Sequence, residues 1–362
     1  MTSGAFPFEA NPNPLDAAER AARLVDPGFG RVFTDHMVTI RYSDAKGWHD
    51  AKVGPRAPLT LDPATAVLHY AQEIFEGLKA YRLADGSMAL FRPEQNARRF
   101  QRSAKRLAMP ELPEEMFLQA CRQLVQVDKD WFPPVDGGSI YLRPFMIASE
   151  VFLGVKPSAE YLFMVIASSA GNYFKSGAPA ISIWVSEQYT RAARGGTGAA
   201  KCGGNYAASL VAQSEAIREG CDQVVFLDAA EHRWVEELGG MNLFFLFDDG
   251  SLLTPPTDGT ILEGITRDSV LTLARAQGLN VREERYAMDQ WRADAESGRL
   301  VEVFACGTAA VVTPVGTVKS TQGDFTIGAG GAGQMTQQIR TKLVDIQRGA
   351  AADTHGWVQR ID

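Results

Sequence analysis

The chain has 362 residues, 45% of them hydrophobic and 22% charged, with a formal net charge of -7. That length fits two domains of about 100–200 residues each, and the composition is that of an ordinary globular protein. Acidic and basic residues are interspersed without a basic block, which argues against a nucleic-acid partner, and no apolar run approaches the ~20 residues of a membrane helix.

The N-terminus, MTSGAFPFEANPNPLD, lacks a basic region followed by an apolar stretch, so no signal peptide is expected. Cys121, Cys202, Cys221 and Cys306 form no C-x-x-C pair, and His36, His49, His69, His232 and His355 are scattered. No metal site is expected from such spacing. Buried thiols in a reducing compartment fit best, and the protein is expected to be cytoplasmic.

Residues 1–30, rich in Pro, Asn and Gly, are expected to form an irregular arm. Partial alternation from Arg31 to Tyr42 predicts a strand. Leu78–Tyr81 and Met88–Phe91 flank Asp85-Gly86 and predict a hairpin. Phe100, Ala104 and Leu107 share one face of a helix over 94–107, and a second helix is expected near 113–128. Strands follow near 139–148 and 160–168.

The small, polar segment SSAGNYFKSGAP, residues 168–179, reads as a boundary. It sets a smaller α/β domain over 1–170, an interdomain loop at 171–180 and a larger domain over 181–362. Beyond it, Ile181–Val185, Val224–Leu227, Leu243–Phe247 and Leu252–Leu253 predict strands. Tyr206–Glu219 and the regions near 267–277 and 334–348 predict helices. Strands and helices mixed in both halves imply an α+β or mixed α/β fold.

Three segments could carry chemistry. RGGTGAAKCGGNY, from Arg194 to Tyr206, sets Lys201 among small residues, leaving room above it for a planar ligand. A nucleophilic amine must be neutral, and a free lysine has a pKa of ~10.4, so burial or nearby cations must lower it. On this segment alone, a solvated surface lysine is the commoner outcome. It is no Walker A loop, because Cys202 stands where the magnesium-binding hydroxyl belongs. GAGGAG, Gly328 to Gly333, formally matches G-x-G-x-x-G. The chain ends at Asp362, with no room for the second strand and acidic residue of a dinucleotide site, so a mobile loop before the last helix is expected. The third segment is ELGGMNLF from Glu237, then Leu252–Thr254, then LEGITR at Leu262–Arg267.

That third segment resembles the signature of the class IV, fold type IV aminotransferases. HYAQEIFEGLKAYR (His69–Arg82), FRPEQNARRF (Phe91–Phe100), YLRPF (Tyr141–Phe145), FLGVKP (Phe152–Pro157), KCGGNYAASL (Lys201–Leu210) and CGTAAVV (Cys306–Val312) resemble branched-chain amino acid aminotransferases. The similarity runs in order from about residue 29 to 348.

The resemblance implies pyridoxal 5'-phosphate as cofactor. Lys201 resembles the Schiff-base lysine that also moves a proton between substrate Cα and cofactor C4′. Glu237 resembles the carboxylate paired with the pyridinium nitrogen. Glu236 competes, because strand neighbours face opposite ways; if Glu237 is right, Glu236 should be a surface charge. Arg99 resembles the phosphate arginine, and Arg98, about 100° round the helix, should point away. Ile265 and Thr266, expected just before a helix, and Thr308 resemble further phosphate contacts. Tyr206 resembles the tyrosine bonded to the cofactor's phenolate oxygen.

Phe29, Tyr70, Phe75 and Tyr141 resemble the box for an aliphatic side chain, and Arg143 the arginine near its mouth. The Thr308-Ala309-Ala310 turn would donate N–H groups to the α-carboxylate. Leu153 and Val155 resemble a loop reaching into a partner's active site, which implies a homodimer. The implied reaction is reversible amino transfer from L-leucine, L-isoleucine or L-valine to 2-oxoglutarate. The rivals are a D-amino acid aminotransferase or aminodeoxychorismate lyase of the same fold, and a non-enzymatic phosphate or nucleotide binder. Two departures stand out. Gly240 replaces a hydroxyl residue of some relatives that touches the substrate carboxylate. Ala309–Thr313 carries no redox C-x-x-C of the kind certain mammalian relatives have.

Overall fold

The computed structural model describes residues 4–135, 137–171 and 180–361. Most of the expected interdomain segment, residues 172–179, therefore lies outside the described residues. The chain divides into two compact units: Met1–Tyr173 with Ala200–Gly203 and Ile346–Asp362, and Phe174–Ala199 with Gly204–Asp345.

The first unit holds strands β1 (Val32–Ser43), β2 (Gly47–Pro55), β3 (Glu73–Phe75), β4 (Leu78–Arg82), β5 (Met88–Phe91), β6 (Ser139–Ala148) and β7 (Glu160–Ala170). Its helices are α1 (Ala17–Leu24), α2 (Val67–Tyr70), α3 (Pro93–Arg106) and α4 (Glu114–Val127). With the C-terminal strand β17 (Val358–Ile361), the described strands form a sheet ordered β17-β5-β4-β6-β7-β1-β2, with β3 alongside β6. β4 and β5 pair antiparallel, as the Asp85-Gly86 turn predicts.

Helix α3 buries Ala97, Phe100 and Ala104, a 3.6-residue spacing that seats one face in the core. Phe100, Phe117 and Phe163 meet there with ring centroids 5.5 to 6.1 Å apart. The adjoining stripe of Asn96, Arg99 and Ser103 is buried as well, while Arg98 turns outward and pairs with Glu114 at 3.2 Å. The N-terminal arm is less irregular than expected. Asp16 accepts a hydrogen bond from the Glu19 N–H and caps α1, and Phe8 bridges to Val53 of β2.

The second unit holds β8 (Ile181–Ser186), β9 (Gln223–Leu227), β10 (Val235–Leu238), β11 (Asn242–Phe247), β12 (Ser251–Thr254), β13 (Asn280–Glu283), β14 (Leu300–Gly307), β15 (Val311–Lys319) and β16 (Phe325–Thr326). The described strands run β10-β9-β8-β15-β14-β11-β12-β13, and β16 pairs with β15. An additional pairing of β10 with β11 joins the two ends of the first six strands, closing them into a small barrel. That closure passes through one residue pair, Glu237 opposite Asn242, across a tight turn at Gly239-Gly240. The Leu238 N–H donates to the Met241 carbonyl at 2.9 Å and seals the turn.

Four helices complete this part of the chain: α5 (Gly203–Arg218), α6 (Ile265–Ala276), α7 (Met288–Glu296) and α8 (Gln334–Gln347). The GAGGAG segment is held as a structured turn. The Ile327 N–H donates to the Gly316 carbonyl, and a Cβ on Gly316 would lie 2.3 Å from the Gly330 carbonyl. At its end, Glu302 of β14 accepts from the Met335 and Thr336 N–H groups at 3.0 and 2.8 Å. The carboxylate does for α8 what an N-cap side chain would do. Glu302→Ala is expected to lower stability by about 1–2 kcal/mol in urea unfolding, and an unchanged midpoint would show that water replaces the cap.

Candidate active site

Lys201 belongs to the first unit by its contacts. Its N–H donates to Ser103 Oγ of α3 at 2.9 Å, and its carbonyl accepts from the Phe75 N–H at 2.9 Å. Two residues on, the Gly203 N–H donates to the Glu73 carboxylate, and a Cβ on Gly203 would lie 2.0 Å from that oxygen. The lysine's backbone is thus held at both its N–H and its carbonyl, and the segment is held a third time at Gly203, where the closeness of Glu73 requires glycine. The Lys201 Nζ stands 4.7 Å from the centre of the Phe75 ring.

Phe75 stands beside that amine, and a chain of contacts joins three more of the residues expected to contact substrate to it. The Arg143 guanidinium lies 4.7 Å from the Phe75 ring centre and 5.5 Å from that of Tyr141, to whose hydroxyl it donates at 3.2 Å. Phe29 meets Tyr141 edge-on, centroids 4.8 Å apart. Gly77 makes room for the Tyr141 hydroxyl, 2.0 Å from where a Cβ would sit. Tyr70 instead joins the loop after β6: its hydroxyl donates to the Leu153 carbonyl and its ring lies 6.5 Å from Phe152. Leu153 and Val155 on that loop are 64% and 90% exposed.

Arg99 is buried and makes a two-pronged pair with Glu76, Nε to Oε1 at 2.7 Å and Nη2 to Oε2 at 2.8 Å. Glu76 is fully buried and also accepts from Asn96 Nδ2 at 2.7 Å and its neighbour's Gly77 N–H at 3.1 Å. Burial alone would raise the Glu76 carboxyl. The charge and hydrogen bonds of Arg99, then the charge of Lys201 and the Asn96 amide, hold it below the ordinary value of 4.5. A depressed carboxyl gives stability that is present above the unfolded value and lost as pH falls through the folded one. Urea-unfolding free energy is therefore expected to fall as pH drops below about 4.5, more steeply than in Glu76→Gln.

In the second unit, Glu237 is buried and fully engaged. Its Oε1 lies 2.9 Å from Arg191 Nη1 and accepts from the Leu262 N–H at 2.9 Å, while Oε2 accepts from Asn242 Nδ2 at 3.2 Å. Arg191 also donates to the Thr260 carbonyl at 2.9 Å. The neighbouring guanidinium and the two N–H donors all favour the charged form of this carboxylate. Asn242 donates onward to the Leu262 carbonyl, and a Cβ on Gly264 would lie 2.0 Å from its Oδ1. Gly264 is the N-cap of α6, so no side chain caps that helix. A helix start without a side-chain cap offers N–H groups and the positive end of the dipole to an anion.

Several expectations are corrected. Ile265 and Thr266 are the first two residues of α6 and do not precede it. Helix α5 begins at Gly203, placing Tyr206 in its first turn, with a ring carbon 3.8 Å from where a Cβ on Gly240 would stand. Glu236 is no surface charge. It is 7% exposed with a buried, unpartnered Oε2, and burial, reinforced by the Glu237 charge, pushes its carboxyl up. Thr308, Ala309 and Ala310 do form the turn between β14 and β15.

Glu76, Arg191, Asn242 and Glu73 had no role assigned from sequence. Glu76 and Asn242 sit inside the quoted segments FEGLKAYR and ELGGMNLF, flanked by apolar residues and glycine, and that setting was the available signal. Arg191 has no comparable mark in QYTRAAR.

The four cysteines are free and buried. Burial pushes the Cys306 thiol up to about 12 and raises those of Cys121 and Cys221 as well. Thiols so held are poor nucleophiles. Turnover is expected to survive mild peroxide, and a loss reversed by dithiothreitol would contradict that.

The pattern that defines amino-transferase class IV matches residues 73–318. The branched-chain-amino-acid aminotransferase of Mycolicibacterium smegmatis is 56% identical over 368 residues, covering 100% of both chains. That of Mycobacterium tuberculosis is 53% identical over 367 residues, again covering 100% of both. Among solved structures, the branched-chain amino acid aminotransferase of Thermobaculum terrenum in its holo form with pyridoxal phosphate superposes with a TM-score of 0.71 at 26% identity, covering 89% of this chain and 98% of that one. Another solved branched-chain amino acid aminotransferase, 30% identical, is described in complex with N-(5'-phosphopyridoxyl)-L-glutamate and with 4-methylvaleric acid. The mixed α/β fold is therefore fold type IV, as the sequence implied, and the chain belongs to the class IV aminotransferases and, among them, to the branched-chain-amino-acid aminotransferases.

Proposed function

We propose that the protein reversibly moves the amino group between L-leucine, L-isoleucine or L-valine and 2-oxoglutarate, with pyridoxal 5'-phosphate held on Lys201. The observation that carries this reading is the held Lys201 peptide, whose amine stands over the Phe75 ring that also carries Arg143. The donor set fits the cofactor. Arg99 and the α6 start at Ile265 and Thr266, with Thr308, suit a phosphate dianion. Glu237, paired with Arg191, suits a protonated ring nitrogen, and Tyr206 suits the phenolate oxygen. When bound, the cofactor supplies an aldehyde for the amine and an electron-withdrawing ring for the electron pair left at Cα.

The protein's residues divide the remaining work. Lys201 Nζ, once released from the aldehyde, would take the proton from the substrate Cα and hold it for transfer. Glu237 would favour a proton on the cofactor's ring nitrogen. Phe29, Phe75 and Tyr141 would exclude water around an aliphatic side chain, with Tyr70 contributing through the loop of Leu153 and Val155 to which it is bonded. The N–H groups of Ala309 and Ala310 orient the substrate carboxylate, and Arg143 receives the second carboxylate of glutamate. Gly240 offers no side chain to that carboxylate, so orientation falls to the 308–310 turn.

The exposed Leu153 and Val155 support a homodimer in which this loop enters the partner's active site. Sedimentation of the purified protein tests this, and a monomer with full turnover would refute it. No helix among the described residues is long and apolar enough to cross a membrane, and the free cysteines support a reducing, cytoplasmic setting.

The test is an absorbance spectrum recorded before and after L-leucine or D-alanine is added to separate samples. A visible band that L-leucine alone bleaches supports the whole reading. A band that answers only D-alanine keeps the fold and discards the substrate. A protein left colourless after incubation with pyridoxal phosphate would refute the role of Lys201.

A further inference from the structure

We propose that Arg340 is a positioning residue: it holds a strained turn, residues 308–311, in the shape that receives the substrate carboxylate. The inference rests on the reading of the Thr308-Ala309-Ala310 turn as the carboxylate's donor.

The strain is at Val311. Its φ is 63°, in the left-handed region where Cβ crowds the backbone. A β-branched residue there is an outlier, and glycine is the usual occupant. The hairpin explains why the conformation is needed. β14 and β15 pair through Gly307 opposite Val311, which leaves three residues in the loop. A three-residue loop is ordinarily closed by a left-handed residue. A left-handed residue after a right-handed one also turns successive N–H groups to one side, which is how backbone forms a cradle for an anion. This corner therefore needs a left-handed residue, and the chain carries valine.

A conformation of this cost persists only where its surroundings over-determine it. On one side of Val311, Ala310 is buried. Gly307 there lies so close to the Met241 side chain and the Gly240 carbonyl that a Cβ would stand 3.2 and 3.4 Å from them. On the other side, Val312 is fully buried, and its carbonyl accepts a hydrogen bond from Arg340 Nη1 at 2.7 Å. Arg340 belongs to α8, an anchored helix: Ile339 and Leu343 are fully buried, and Glu302 holds its first turn. Packing restrains the turn by shape. The guanidinium adds a directed bond at the residue next to the strained one, and it opposes the rotation by which Val311 would leave the left-handed region.

The test is a rescue experiment on the holoenzyme. Arg340 is exposed, so Arg340→Met removes the donor, keeps an aliphatic stem and leaves the core intact. It is expected to raise the KM for L-leucine about 3–10-fold and to change kcat by less than about twofold, because substrate must then also hold the turn. The dissociation constant of 4-methylvalerate, which is leucine without its amino group, should rise by the same factor in calorimetry, where no chemistry enters the readout. Val311→Gly removes the strain that Arg340 opposes. Alone, it should leave both constants within about twofold of wild type and the urea midpoint unchanged or higher. Combined with Arg340→Met, it should bring both constants back to within about twofold of wild type. Constants that do not move in Arg340→Met overturn the proposal, and so does a double variant as weak as Arg340→Met alone, which is what an arginine serving only α8 would give. A wild type that does not turn over L-leucine would instead remove the reading on which the inference rests.

Discussion

Lys201→Ala is expected to lose transamination of L-leucine by about 10³-fold or more, to lose the visible band and to keep the wild-type unfolding midpoint. The last point separates chemistry from structure. The backbone at 201 is held through its own N–H and carbonyl, to Ser103 Oγ and the Phe75 N–H, and alanine retains both. Removing the side chain takes away the amine and its contact with the Phe75 ring and nothing from the hydrophobic core. Turnover would be read in a coupled assay with 2-oxoglutarate, and stability in urea. A variant that stays coloured and active would mean that another amine carries the cofactor. One that unfolds early would mean that Lys201 is a structural residue.

Glu237→Ala has the second large effect, and here activity and stability fall together. The side chains of Arg191 and Glu237 are 2% and 3% exposed, so alanine leaves a guanidinium buried without its anion. Breaking such a pair from one side destabilises by about 3–5 kcal/mol. The Leu262 N–H and the Asn242 amide lose an acceptor in the same step. The expected result is an unfolding free energy lower by about that amount, with turnover reduced by about 10²–10³-fold under conditions where the protein is still folded. Glu236→Gln is the control. Glutamine keeps the shape of a side chain to which no contact with substrate or cofactor is assigned, so turnover should not change. If Glu236→Gln abolished activity and Glu237→Ala did not, the two assignments would have to be exchanged.

Much of the first unit was legible because its elements obey simple periodicities. β1, β6 and the β4–β5 hairpin alternate or turn as their residues predict, and α3 repeats apolar residues at the helical period. The closed barrel of the second unit was not legible. β10 reads Val-Glu-Glu-Leu and is buried throughout, so two carboxylates lie where pattern reasoning looks for apolar residues. β15 carries Pro314 in its middle, which normally argues against a strand. Helix α1 hides in a segment whose Pro and Asn content suggested coil, and only its capping pair, Asp16 and Glu19, marks it.

The candidate site divides along the same line. Lys201, Glu237 and Arg99 lie in motifs and were named from sequence. Their supports, Glu76 and Arg191, were not, because whether a charged residue is buried depends on which distant partner the fold brings to it. Resemblance finds the residues that touch a ligand. The carboxylate beneath Arg99 and the guanidinium beneath Glu237 appear only once side chains have coordinates.

The single pairing that closes the barrel has an evolutionary consequence. Glu237 opposite Asn242 is the seam where β10 meets β11, and it is also the proposed partner of the cofactor's ring. A descendant enzyme that altered this side chain would give up its contacts with Asn242 and Arg191 at the seam, and the stability they carry, before it acquired new chemistry, so the electronic half of the reaction is tied to the stability of the fold. Phe29, Tyr70 and Tyr141 close no sheet with their side chains. They can be exchanged one at a time for larger, smaller or more polar ones. Diversification of this scaffold should therefore proceed by changing what is transaminated and leave how it is transaminated untouched.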